Sequence, residues 1–102
     1  MSVIKVNSEN FEGIKNQSKP VLLDFYADWC GPCRMISPLV DEIAEEREDI
    51  VVGKVNVDEN PELAREFGIS NIPALVVLKN GNVVSKSSGY RPKEKIEALI
   101  DA

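Results

Sequence analysis

The stretch that most constrains this chain is Val21-Leu22-Leu23-Asp24-Phe25-Tyr26-Ala27. It is apolar at every position but Asp24. A strand with one wet face would alternate apolar and polar residues; a continuous apolar run suits a central strand covered on both faces. A chain that contains such a strand must supply helices to both sides of its sheet.

The rest of the sequence supplies them. Val3 to Val6 reads as a short strand, and Asn7 or Ser8 can cap a helix that places Phe11 and Ile14 on one side. Lys19-Pro20 breaks the chain ahead of the central strand. After it, Ile36, Leu39, Val40 and Ile43 recur at helical spacing, with Asp41, Glu42, Glu45 and Glu46 opposite. Pro38 lies inside this pattern; it removes one donor and should kink the helix without ending it. Ile50 to Val57 reads as a strand. Asn60-Pro61 opens a short helix with Leu63, Ala64 and Phe67, closed by Gly68. Ala74 to Lys79 and Asn82 to Ser87 flank Asn80-Gly81, the pair that supplies the two positive φ angles of a type I′ hairpin turn. Pro92 starts a last helix with Ile96, Leu99 and Ile100 on its apolar side. The order β-α-β-α-β-α-β-β-α predicts an α/β fold: a mixed sheet, parallel early and antiparallel at the closing hairpin, with helices on both faces.

Composition bounds the function. The 102 residues suit a single domain spanning residues 1–102, and 43% apolar with 28% charged residues is an ordinary globular balance. The net charge of −5 and the lack of a Lys/Arg cluster argue against nucleic-acid binding. The acidic runs Asp41 to Asp49 and Asp58 to Glu62 read as a solvated helix face and a charged helix start. No stretch is long and apolar enough to span a membrane. The N-terminus resembles no signal peptide, and Ser2 excludes myristoylation there, so an intracellular, cytoplasmic setting is expected unless a targeting segment was removed.

The chemistry gathers in Trp29-Cys30-Gly31-Pro32-Cys33, which holds both cysteines and the only tryptophan of a chain without histidine. It falls where the central strand ends and a helix begins. First-turn N–H groups of a helix are unpaired and favour negative charge by ~0.3–1 kcal/mol, up to ~2 when partly buried. At about 1.4 kcal/mol per pKa unit, the helix alone would lower the Cys30 thiol by about one unit. Pro32 suits the first helical position, where its missing N–H costs nothing, Gly31 leaves room for a partner's backbone, and Cys33 lies one turn on, close enough to close a disulfide. Dithiol exchange competes with three other readings. A structural disulfide would close a tiny loop; a zinc site would need carboxylates to complete it; two unrelated buried thiols need no function. Cys-x-x-Cys beside a β-α-β pattern favours the redox reading.

Two further positions stand out. Asp24 in its apolar strand should be buried, which raises its pKa, and Cys33 needs a group that takes and returns a proton. Lys54, within another apolar strand, either tunes Asp24 by charge or extends to water. Ile72-Pro73 precedes a strand and is either an ordinary strand start or a cis step.

These residues resemble the thioredoxin family over essentially the whole chain. The motif follows a Val-Leu-Leu-Asp-Phe strand; Pro38, Lys54, Ile72-Pro73, Lys79-Asn80-Gly81 and Gly89 match further family positions. The resemblance implies a thioredoxin fold, a central mixed five-stranded sheet flanked by four helices. It implies a protein-disulfide reductase that maintains redox homeostasis: Cys30 attacks the target disulfide, and Cys33, assisted by Asp24 with Lys54 tuning it, resolves the mixed disulfide. Gly31 and Pro32 would set the redox character, since oxidase and isomerase members usually carry a histidine between the cysteines. Trp29, Gly31, Pro32, Ile72, Pro73, Gly89 and Tyr90 would form the apolar patch that receives disulfide-containing proteins, with the Ile72 backbone pairing to an extended segment. No cofactor or metal would be bound; a thioredoxin reductase, fed by NADPH or ferredoxin, would recycle a monomer. Tyr26, Asn71, Ala74 and Tyr90 depart from common family residues, and Arg34 replaces a frequent lysine. An oxidase or isomerase, a binding module that uses the patch without turnover, and a metal site shared by two chains are the competing functions.

Overall fold

Five strands form one sheet in the order β1-β3-β2-β4-β5. They are β1 Ile4–Lys5, β2 Val21–Tyr26, β3 Val51–Asn56, β4 Ala74–Lys79 and β5 Asn82–Ser88. Four helices accompany them: α1 Phe11–Lys15, α2 Gly31–Glu46, α3 Pro61–Glu66 and α4 Lys93–Asp101. This is a computed structural model, and it describes residues 3–102; Met1 and Ser2, on which the reading of the N-terminus partly rests, lie outside the described residues. As expected, β2 is central. It runs parallel to β3 and antiparallel to β4; β1 joins β3 in parallel, and β5 joins β4 as a hairpin.

The period of two along β2 divides the core into two layers. Val21, Leu23 and Phe25 face α1 and α3, packing with Phe11, Ile14 and Leu63. The Phe67 ring stands 5.6 Å from both Phe11 and Phe25. Leu22 faces the other way, with Ile36, Val40 and Ile43 of α2 and Ile96 and Ile100 of α4. Asp24, two residues after Leu22, therefore faces the α2 layer. The apolar stripe of α2 continues past Pro38, and the helix runs on through it to Glu46.

Local signals read from the sequence are met at the turns. Asn80 and Gly81 adopt φ of 54° and 79°, the type I′ pair. Gly68, at φ 63°, ends α3: its N–H bonds the Arg65 carbonyl, and the Ile69 N–H bonds that of Ala64, the paired closure of a Schellman motif. The start of α1 differs from the expected cap. The helix begins after Asn10, and Asn7 caps a preceding turn, its Oδ1 accepting the N–H groups of Glu9 and Asn10 at 2.9 Å. β1 is also shorter than the Val3–Val6 run, although the Val6 N–H still donates to the Lys54 carbonyl at 2.9 Å.

Candidate active site

The dithiol hangs from the end of β2. The chain leaves the strand at Tyr26, turns through Ala27-Asp28-Trp29, and enters α2 with Cys30 at the N-cap. Cys30 keeps an extended backbone (φ −89°, ψ 111°), which points its side chain across the first turn. A disulfide joins Cys30 and Cys33, with Cα atoms 5.3 Å apart. The Cys33 N–H donates to Cys30 Sγ at 3.2 Å. One of the orphan donors of the helix start is thus already aimed at the sulfur on which a thiolate would sit. Gly31, not Pro32, takes the first helical position; Pro32 stands second, where it still has no N–H to leave unpaired.

Both cysteines are buried against Ala27, with Tyr26, Val57 and Ile72 packed around them. Apolar residues of the motif and of the segment after β5 are open to the surface. Trp29 is 69% exposed, Gly31 and Pro32 are exposed, and Tyr90 is 44% exposed. A Cβ added at Gly31 would meet nothing within 4 Å, so the chain's own packing does not demand glycine there. The Ile72-Pro73 bond is cis, the sharper of the two sequence readings. Gly89, at φ 86°, donates its N–H to the Pro73 carbonyl at 2.8 Å, which fixes Gly89 and Tyr90 beside the Ile72-Pro73 step.

Beneath the dithiol lies a pocket of about 240 Å³ whose walls include Asp24, Cys33, Ser37 and Lys54. Asp24 is 1% exposed, and its Oδ1 has no hydrogen-bond partner among the described residues. Burial pushes its carboxyl up to about 7; the charge of Lys54 opposes this, and that of Asp41 adds to it. A carboxyl in this range exchanges a proton near neutral pH. A larger hollow of about 360 Å³ at the far end of the sheet is lined mainly by apolar residues. Its charged residues are Lys19 and Glu48, and the Lys19 ammonium is tied to the Glu48 carbonyl.

Lys54 does not extend to water, one of its two expected readings; its side chain is 19% exposed. It is the cross-strand partner of Asp24, and its charge acts on that carboxyl. Its ammonium, however, reaches α2, where it donates to Ser37 Oγ and pairs with Asp41 at 3.1 Å. The sequence marks Asp41 and Asp58 only as members of solvated acidic runs. Asp58 accepts the Trp29 indole N–H at 2.9 Å. Neither contact has a signal along the chain, because each joins residues far apart in sequence. Among the described residues, no group of three or more Cys, Asp or Glu side chains is placed to hold a metal ion, and no helix is long and apolar enough to cross a membrane.

A redox-active cysteine pair at a strand-to-helix junction of a mixed five-stranded sheet defines a thiol–disulfide oxidoreductase. The family model described as Thioredoxin matches residues 2–102, and the chain belongs to the thioredoxin family. It is 47% identical over 100 residues to a protein named Thioredoxin from Alicyclobacillus acidocaldarius, covering 97% of this chain and 95% of that one. With a Thioredoxin from Porphyra purpurea it shares 48% identity over 103 residues, covering 99% and 96%. In structure it resembles a single-residue mutant of thioredoxin from Halobacterium salinarum NRC-1, with a TM-score of 0.92, 36% identity, and coverage of 98% of this chain and 88% of that chain. The chain is accordingly a protein-disulfide oxidoreductase with the Cys30–Cys33 pair as its redox centre.

Proposed function

We propose that this protein reduces disulfides in other proteins with Cys30 as nucleophile and Cys33 as resolving thiol. The observation that supports this most is the Cys30 sulfur at the N-terminus of α2, accepting the Cys33 N–H above a buried Asp24. The Cys30 thiolate attacks one sulfur of the target disulfide; the other target sulfur leaves as a thiolate and takes a proton. Cys33 then gives its proton to the Asp24 carboxylate and attacks Cys30 Sγ. The Cys30–Cys33 disulfide forms, the second target sulfur leaves as a thiolate that takes a proton from water, and Asp24 returns the Cys33 proton to water. Two electrons have passed to the target. Asp24 and Cys33 line one pocket, large enough for water to carry the proton between them. Lys54 tunes Asp24 through its charge.

Trp29, Gly31, Pro32, Ile72, Pro73, Gly89 and Tyr90 form the docking surface for the target. Gly31 and Pro32, with no histidine between the cysteines, suit a reductant. A thioredoxin reductase drawing on NADPH, or a ferredoxin-dependent one, restores the dithiol. The protein works as a cytoplasmic monomer without a bound cofactor, and neither nucleic acid nor membrane is a partner.

The test is a trap. A Cys33→Ser variant mixed with a disulfide-bonded protein should accumulate a one-to-one adduct through Cys30 that dithiothreitol releases; Cys30→Ser should form none. Reduction of the test protein by either serine variant at the parent rate overturns the proposal. A binding module would keep its affinity for partners with both cysteines replaced.

A further inference from the structure

Lys54 is held away from the carboxylate it stands beside. The strand register pairs Asp24 with Lys54, and an ammonium in contact with a carboxylate lowers its pKa by about 1–3 units. Among the described residues, no ion pair or hydrogen bond joins the two. Ser37 and Asp41 instead present an oxygen each from successive turns of α2, four residues apart and so on one face. The Lys54 ammonium donates to Ser37 Oγ and lies 3.1 Å from Asp41 Oδ1. Asp41 is 57% exposed, so this anchor sits at the outer mouth of the pocket.

We propose that Ser37 and Asp41 are positioning residues for the exchange reaction: they fix Lys54 at the pocket mouth and leave Asp24 facing Cys33 with no direct counter-ion. This rests on the reading of Asp24 as the proton partner of Cys33. The other groups around Asp24 do not substitute for Lys54. From α2, the Arg34 guanidinium turns outward to the Asp28 carbonyl at 2.7 Å. Tyr26 and Asp28 line the pocket from the end of β2 and the following turn. β4 places apolar Leu75 opposite Asp24, and α4 adds apolar Ile96, Leu99 and Ile100 to that core layer. Loss of Asp41 removes a negative charge near Asp24 and frees the ammonium to turn inward. Both effects favour the ionised carboxylate, so Asp24 should titrate lower.

The experiment is a carbon-13 NMR titration of the Asp24 carboxyl in the oxidised protein. Asp41→Asn should lower its midpoint by about one unit, and Ser37→Ala should lower it by less. In a Lys54→Gln background the Asp41→Asn shift should shrink to less than half, since the freed lysine is then absent. An unchanged midpoint in Asp41→Asn, or equal shifts in the two backgrounds, overturns the proposal; an unchanged midpoint in Ser37→Ala removes Ser37 from it. The pH profile of the step in which Cys33 resolves the mixed disulfide, followed by rapid mixing of the reduced protein with a disulfide-bonded protein, separates this from the parent reading. If Asp24→Asn leaves that profile unchanged, the role of Asp24 fails, while the titration still reports on Asp41.

Discussion

The indole N–H of Trp29 donates to the Asp58 carboxylate at 2.9 Å, tying the residue before Cys30 to the turn between β3 and α3. A bulky ring that is mostly exposed is thereby held in one place beside the dithiol. An exposed hydrogen bond of this kind contributes about 1 kcal/mol, so Asp58→Ala should raise KM for a disulfide-bonded protein about fivefold with kcat nearly unchanged. Emission from Trp29, the chain's only tryptophan, should shift in the same variant. An unaltered KM would mean that the ring needs no such anchor.

Asp24 makes stability depend on pH in a stated direction. Its carboxyl is raised to about 7 in the folded chain from an ordinary 3.8. Below about pH 4 it is protonated in both states and costs nothing. As pH rises toward 7, the unfolded chain ionises freely while the folded one resists, so stability is lost across that window, by roughly 4 kcal/mol in all. Replacing Asp24 by Asn removes the titration. The stability gap between Asp24→Asn and the parent, read by urea unfolding, should therefore move in favour of the variant from pH 4 to pH 8. A gap independent of pH would show that the carboxyl is not held up by burial.

Gly53 is required by packing. On β3 it sits beside Ile4 of β1, and a Cβ there would come within 2.6 Å of Val6 Cγ2 and 3.3 Å of Leu23 Cδ2. Val6 and Leu23 are both fully buried and have little room to yield. Gly53→Ala should cost about 1–3 kcal/mol in denaturant unfolding. Its disulfide reduction rate at saturating substrate should stay at the parent level, since the clash lies on the α1/α3 side of the sheet, away from the pocket.

What the sequence made legible was what local pattern encodes. The apolar run around Asp24 marked both the central strand and its one buried carboxyl. Asn80-Gly81 encodes a turn through two backbone angles, and Cys30-Gly31-Pro32-Cys33 a helix start through Pro32 and the strand before it. What stayed hidden depends on neighbours distant in the chain. Gly53 looks like any strand glycine until Val6 is laid against it. Lys54 could be placed beside Asp24 in expectation, but its turn toward Ser37 and Asp41 depends on how α2 lies over β3. Asp58 reads only as part of an acidic run, and nothing local marks its bond to Trp29, which spans 29 residues. The shift from Asn7 to Asn10 at α1 arises because Asn7 satisfies a separate turn first.

The most direct test of the central claim is the equilibrium reduction potential of the Cys30–Cys33 pair. Dithiothreitol buffers of defined potential, alkylation of free thiols and mass measurement would give it. A protein-disulfide reductase must hold its electrons more reducing than a glutathione pool at roughly −220 to −260 mV, and a midpoint below that range is the predicted result. A midpoint well to the oxidising side would contradict the account and assign the pair to disulfide formation or isomerisation.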